Sequence, residues 1–248
     1  MKTHFAVVSV GRNCQDFLYK WHQSLRNQTH TNWSAYTALD PCDDGSVMEL
    51  SWLKAKDARI QCIHTNEQRM GAMYNMHTLI AKRVQDENAV IVILDLDDML
   101  KPNALERVAK AYENPNVWLT YGSYEATDGR NNTFNRLIPE DVWRENKHRS
   151  THWSASHLRT FRRKLFMHVP VNNFTFEDGS WYNRATDHAM MYPLLELCGD
   201  SSRAVFIPDR NYVYRVYGQI EQSQNREEEN KCLPHIKART PLMRLSCL

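Results

Sequence analysis

Val90-Ile91-Val92-Ile93-Leu94-Asp95-Leu96-Asp97-Asp98 runs five apolar, mostly β-branched residues straight into three carboxylates within four positions. An unbroken apolar run of this kind reads as a strand buried on both faces, the pattern of a parallel sheet. Ligands of such sheets sit in the crevice beyond the carboxyl ends of the strands. Asp95, Asp97 and Asp98 are therefore expected at the ligand end of a central strand. Clustered carboxylates repel one another unless positive charge neutralises them. A hard divalent cation, completed by phosphate oxygens of a substrate, answers that need.

Upstream, Phe5 to Val10 is a short apolar run ended by Gly11. Asp16 to Arg26 follows as a helix, with Phe17, Leu18, Trp21 and Leu25 on one face. Trp33 to Leu39 reads as a second strand, closed by the loop Asp40-Pro41-Cys42-Asp43-Asp44-Gly45-Ser46. Val47 to Ala55 predicts a short helix and Ile60 to His64 a third strand. Gly71 to Val84 predicts a helix with Met73, Met76, Ile80 and Val84 as its apolar stripe. Beyond the acids, Pro102 is placed as the first residue of another helix, buried through Leu105, Val108, Ala109 and Tyr112. Val117 to Tyr121 is the next strand. This alternation implies an α/β fold with a doubly wound parallel sheet and right-handed crossovers.

The second half reads differently. Gly129-Arg130-Asn131-Asn132 predicts a turn. Trp143 to Arg163 is rich in Arg, His, Trp and Ser, too polar for core and too aromatic for a plain linker. Thr186-Asp187-His188 opens an apolar helix through Leu197, stopped at Cys198-Gly199, and Pro193 inside it predicts a kink or a break. Val205 to Ile207 and Tyr212 to Tyr214 read as late strands. Gln222 to Lys231 is a charged run with the character of a solvated helix or a disordered stretch.

The chain has 248 residues, 42% hydrophobic and 24% charged, with a formal net charge of +2. That is the balance of a folded globular protein, and it favours neither nucleic acid nor an acidic tail. No apolar run approaches the roughly 18 residues of a membrane span. Met1-Lys2-Thr3-His4-Phe5 leads directly into a strand with no signal-peptide core, which predicts a cytoplasmic protein. The six cysteines are scattered without a C-x-x-C pair, as expected for free thiols rather than a zinc or redox site.

Two groups of acids follow two strands, Asp43 with Asp44 and Asp95 with Asp97 and Asp98. In a parallel sheet both lie on one edge, and one cleft with two acid clusters suits a nucleoside diphosphate. One acid would hydrogen-bond the ribose or base while another held the cation that carries the phosphates. There is no Gly-x-x-x-x-Gly-Lys loop and no Gly-x-Gly-x-x-Gly, so neither a P-loop nor a dinucleotide site is expected.

With those residues in order, the chain resembles the family 2 glycosyltransferases of GT-A fold. The likeness rests on Val7-Val8-Ser9-Val10-Gly11-Arg12-Asn13, Asp43-Asp44-Gly45-Ser46, Gly71-Ala72-Met73-Tyr74-Asn75, Leu94-Asp95-Leu96-Asp97-Asp98 and Thr186-Asp187-His188. It implies a single GT-A domain over residues 1–248, with a Rossmann-like, mostly parallel central sheet and a smaller acceptor-side part. Residues 1–122 would bind the nucleotide sugar, 123–220 would bind the acceptor and carry the base, and 221–248 would form a tail. It also implies an inverting, metal-dependent transfer from a nucleotide-diphosphate sugar, a UDP-sugar favoured, to a hydroxyl acceptor such as a glycan. Asp43 would bind the base or ribose, Asp95 the ribose or sugar, and Asp97 would ligate Mn²⁺ or Mg²⁺. Asp187 would take the proton of the acceptor hydroxyl, with Glu177 and Asp178 as rivals for that role. Ser9 and Asn75 would contact substrate. Arg69 would serve where the family often carries Arg in place of Tyr74. A family His expected soon after the last core strand has no counterpart at Tyr217-Gly218-Gln219. His157, with His152 and Trp153, would shape the acceptor site, and Arg159, Arg162 and Arg163 would hold a phosphate or an anionic acceptor.

Ile93-Leu94-Asp95-Leu96-Asp97-Asp98 also resembles the first motif of haloacid-dehalogenase-type phosphatases, with Thr120 mimicking their second. Against it, Met99 stands where that motif wants Thr or Val, and three strands precede the motif rather than none. A non-catalytic nucleotide-sugar binder is the remaining alternative.

Overall fold

The computed structural model describes residues 2–129, 136–216 and 226–248. Its strands are β1 (Phe5–Gly11), β2 (Trp33–Leu39), β3 (Ile60–Thr65), β4 (Val90–Ile93), β5 (Met99–Leu100), β6 (Leu119–Ala126), β7 (Ser156–Arg162) and β8 (Ala204–Tyr214). They form one sheet in the order β3-β2-β1-β4-β7-β6-β8-β5. β1 pairs in parallel with both β2 and β4. The chain steps outward from β1 to β3, then returns to the other side of β1 as β4. This reversal is the topological switch point at which ligands bind.

The β4 pattern does what its residues require. Ile91 and Ile93 pack into one apolar layer and Val90 and Val92 into the other. Buried side chains of this size contribute about 1.5–3 kcal/mol each. Helices α1 (Gln15–Arg26), α2 (Ser46–Lys56) and α4 (Ala104–Tyr112) cover the valine side, through Leu18, Trp21, Leu50, Leu105 and Val108. Helices α3 (Ala72–Thr78), α5 (Glu140–Glu145), α6 (Arg163–Met167), α7 (Thr186–Cys198) and α8 (Arg226–Ala238) cover the isoleucine side.

Several expectations need correction. The stretch from Trp143 to Arg163, read as too polar for core, contains β7, which lies between β4 and β6 and pairs antiparallel with both. Its polar side chains find partners: Thr160 Oγ1 bonds Thr120 Oγ1 at 2.7 Å and Tyr112 Oη at 2.9 Å, and Arg162 Nε donates to the Val117 carbonyl. Buried polar groups are tolerated on that condition. Pro102 sits in a turn before α4, whose preceding residue Asn103 is left-handed at φ 66°. The α3 helix ends in a π turn, Leu79–Arg83. α7 runs unbroken through Pro193. The two late strands are one, β8, with register shifts against β6 around Ser123.

The last segment is not a loose tail. Cys232 and Ile236 of α8 are buried in the core. Arg149 Nη1 donates to the Ile236 carbonyl, while its Nε and Nη2 reach Glu196 at 2.5 and 2.9 Å. The expected turn from Arg130 to Asn132, the segment Tyr217-Gly218-Gln219, and the start of the charged run lie outside the described residues. Among the described residues, no helix is long and apolar enough to cross a membrane. All six cysteines are free.

Candidate active site

A cleft of about 670 Å³ opens at the carboxyl ends of β1, β2 and β4. Gly11 and Arg12 end β1 there, Asp40 follows β2, and Asp95, Leu96, Asp97 and Asp98 follow β4. The Leu94 N–H still pairs with the Val8 carbonyl, so the sheet holds the chain up to the first acid. Asp98 N–H then bonds the Asp95 carbonyl and closes a tight turn. Leu96, fully buried, plugs that turn into the core. A Cβ at Gly11 would stand 3.1 Å from the Leu96 side chain, so β1 passes close to the acid turn.

The three acids of the turn divide their work. Asp98 is engaged: Tyr212 Oη donates to one oxygen and Arg215 N–H to the other, both at 2.6 Å. Burial, with Asp95 and Asp97 adding their charge, pushes Asp98 up to about 8. Asp95 is raised by burial and by Asp187, partly offset by Arg159. Asp97 lines the cleft, and its carbonyl accepts from Arg215 Nε. Among the described residues, no three His, Cys, Asp or Glu side chains gather into a ready-made metal cage.

Asp187 faces the same cleft from the first turn of α7. Its Oδ1 accepts the His188 backbone N–H and the ring Nδ1, each at 2.9 Å. Burial pushes the Asp187 carboxyl up, but His188 and Arg159 outweigh it and hold it well below the usual carboxylate range. The rivals do not reach the cleft lining. Glu177 is 78% exposed and bonds His235, and Asp178 accepts from Ser180.

Other expected contacts are displaced. Asp43 is 80% exposed, pairs with Arg12 at 3.2 Å, and is not in the lining. The acid nearest the end of β2 is instead Asp40, which takes four donors: Asn66 Nδ2 (2.9 Å), Asn75 Nδ2 (3.0 Å), Met70 N–H (3.1 Å) and Gly71 N–H (2.9 Å). Burial opposes its ionisation, and these bonds together still keep it low. Gly71 donates its N–H to Asp40 and turns the chain into α3 at φ +84°, a conformation that favours glycine. Asn75 borders the cleft, but its amide serves Asp40 and Asn66. Asp44 ties the start of α2 to α1 through Ser46 and the Gln15 N–H. The signal for Asp40 was present in the sequence, since it directly follows Leu39 while Asp43 lies beyond Pro41-Cys42.

Ser9 is fully buried and accepts from Trp21 Nε1, because alternation along β1 turns it toward α1 rather than the cleft. His157 is buried in the sheet, stacked on Tyr212 at 4.1 Å and bonded to Arg159 Nη2 at 3.1 Å. Arg69 stands exposed in the cleft lining. Of the three arginines, only Arg159 reaches the cleft; Arg162 and Arg163 bond backbone carbonyls elsewhere. Thr120 is buried against Thr160 and cannot play the phosphatase role. Trp181, Arg184 and Glu228, unremarked in the sequence, complete the far wall.

A model of glycosyl transferase family 2 matches residues 7–176. No curated protein matches the chain. Solved structures do. Residues 1–349 of TarS from S. aureus align with TM-score 0.65 at 16% identity, over 86% of this chain and 60% of that one. The mannosyltransferase PcManGT from Pyrobaculum calidifontis, in complex with GDP-Man and Mn²⁺, aligns at 0.63 and 16%, over 95% and 63%. GalNAc-T7 with UDP, GalNAc and Mn²⁺ aligns at 0.61 and 13%, over 88% and 44%. These likenesses show the GT-A fold, and the chain spans 44% to 63% of the length of those three.

Proposed function

The chain belongs to glycosyl transferase family 2, and on that premise we propose that it moves a sugar from a nucleoside-diphosphate sugar to an acceptor hydroxyl, with inversion and with the aid of a divalent cation. The observation that carries this reading is the convergence of Asp95, Asp97 and Asp187 on one cleft at the β1/β4 switch point. The UDP and GDP-Man held by the structural neighbours support a nucleoside-diphosphate donor, and a UDP-sugar is favoured.

Asp97, with Asp95 beside it, suits a hard cation. One or two carboxylates completed by phosphate oxygens and water are the usual set for Mg²⁺. Bound there, Mn²⁺ or Mg²⁺ would stabilise the negative charge of the departing diphosphate. Arg69 and Arg159 add positive charge along the same wall.

Asp187 then acts as the base. The acceptor oxygen bonds the anomeric carbon from the face opposite the diphosphate, its proton passes to Asp187, and the electron pair of the breaking bond leaves with the diphosphate. Asp187 is a weak base, so the proton moves late, once the attacking oxygen has become acidic. The placement of Glu177 and Asp178 outside the cleft lining supports a single base, and a single base suits inversion.

The test is a thermal-shift panel of nucleotide sugars with and without Mn²⁺, followed by product analysis of donor turnover. Ligand binding to the native state raises the melting temperature. Hydrolysis of p-nitrophenyl phosphate with no nucleotide-dependent shift would overturn the reading.

A further inference from the structure

The two oxygens of Asp187 have different surroundings. Oδ1 accepts both the backbone N–H and the ring Nδ1–H of His188, each at 2.9 Å. A carboxylate can only accept, so the ring proton sits on Nδ1. Oδ2 has Arg159 Nη1 at 3.7 Å, outside hydrogen-bond reach. The side chain is 33% exposed and lines the cleft. One oxygen is thus tied to α7, and the other is left to receive a proton.

Sequence neighbours on a helix do not ordinarily face each other. The Nδ1 bond therefore needs the His188 ring to be held over Asp187, and two aromatic rings hold it. Trp153 stacks on the imidazole at 4.0 Å, with 29° between the planes. Tyr192, one turn along α7, meets it at 5.5 Å. Tyr192 also meets Trp153 edge-on at 5.3 Å and is buried. The three rings form one cluster with the imidazole at its cleft end.

The ring donor lowers the Asp187 carboxyl, as Arg159 does, and so weakens it as a base. Asp95, His157 and Tyr192 complete the titratable groups that feel its charge. A donor that weakens a base can serve the transfer by fixing where that base points, because a misplacement of about 1 Å costs on the order of 100-fold. We propose that His188 is a positioning residue: its ring, clamped by Trp153, holds one oxygen of Asp187 on the helix and turns the other toward the acceptor hydroxyl. This rests on the transferase reading of the cleft.

Two measurements on the full chain test it. The first is release of nucleoside diphosphate from UDP-glucose, UDP-N-acetylglucosamine and GDP-mannose with Mn²⁺, water serving as acceptor. His188→Phe keeps a ring against Trp153 and removes the donor, so kcat should fall about 10- to 100-fold, with KM for the donor unchanged. His188→Asn, whose side-chain N–H takes the place of Nδ1–H, should recover most of that loss. Both variants should keep the nucleotide-induced thermal shift. Unchanged or faster turnover in His188→Phe would show that the ring only tunes charge, and equal losses in the two variants would show a merely structural role; each overturns the proposal. The second needs no turnover: long-range ¹H–¹⁵N spectra of histidine-labelled protein, with His188 assigned from the Asn variant, should show a proton on Nδ1. A neutral ring protonated at Nε2 alone would overturn the positioning role and leave the transferase reading standing. A proton on Nδ1 with no turnover of any donor would overturn the transferase reading, and the positioning role with it.

Discussion

The guanidinium of Arg159 lies 3.7 Å from the carboxylate of Asp187, one side chain rising from a central antiparallel strand and the other from the first turn of a helix. Arg159 also opposes the charge build-up at Asp95. One cation thus serves both ends of the cleft, the acid turn and Asp187. Arg159→Gln withdraws it from both. Asp187 then rises toward the ordinary carboxylate range, and because the base works only when ionised, the acidic limb of the pH–rate profile moves to higher pH. Turnover at neutral pH should fall on the order of 100-fold, as for loss of one charge-stabilising donor. An unmoved acidic limb would show that Arg159 does not act on the base.

Asp187→Asn should lower transfer by about 10²- to 10⁴-fold, the usual worth of a general base, while nucleoside diphosphate still raises the melting temperature. Asp97→Ala should do the reverse, removing the Mn²⁺-dependent part of that rise. Should the unmodified protein bind nucleotide but turn over no donor tried, the non-catalytic binder becomes the better reading.

Asp40 and Asp43 should part company in urea denaturation. Asp40→Ala strips the acceptor from four donors, two of them backbone N–H groups of the segment leading into α3. A loss of about 3 kcal/mol is expected, together with weaker nucleotide binding, since the β2–α3 wall of the cleft loosens. Asp43→Ala, at an exposed pair with Arg12, should change stability by no more than about 0.5 kcal/mol.

Stability should also depend on pH through His148. Its folded value, lowered to about 4, lies below the 6.5 of the unfolded chain. Between those values the unfolded chain binds the extra proton, so stability is complete above about pH 6.5 and declines as the pH falls toward 4. The decline amounts to about 3 kcal/mol at about 1.4 kcal/mol per unit. His148→Phe, with its ring kept against Trp143, should flatten that part of the curve; a slope equal to the unmodified protein's would assign it to other groups.

Arg149 and Glu196 are 5% and 0% exposed and tie α7 to α8 and to the Leu242 backbone. Arg149→Met leaves Glu196 buried without its partner and should cost about 3–5 kcal/mol. Replacing both, Arg149→Met with Glu196→Leu, should restore most of that. Thermal melts of the single and double variants decide it.

The residues alone determined the first half of this protein. Val90 to Leu94 is apolar on both faces, so only a doubly covered strand satisfies it, and the acids after it must lie at the strand's ligand end. The alternation around it placed β1, β2 and β3, and the order of the motifs singled out Asp187. Tertiary structure decided the rest. Ser156 to Arg162 reads as polar surface, yet it sits between β4 and β6 because Thr120, Tyr112 and the Val117 carbonyl meet its polar groups. Ser9, His157 and Asn75 spend their hydrogen bonds inside the protein, while Asp40 rather than Asp43 stands at the cleft. A hydrophobic pattern reports a burial preference, which acts locally and can be read along the chain. A polar side chain looks the same in sequence whether its partner is a ligand, water or another residue, and only the folded chain brings that partner into reach.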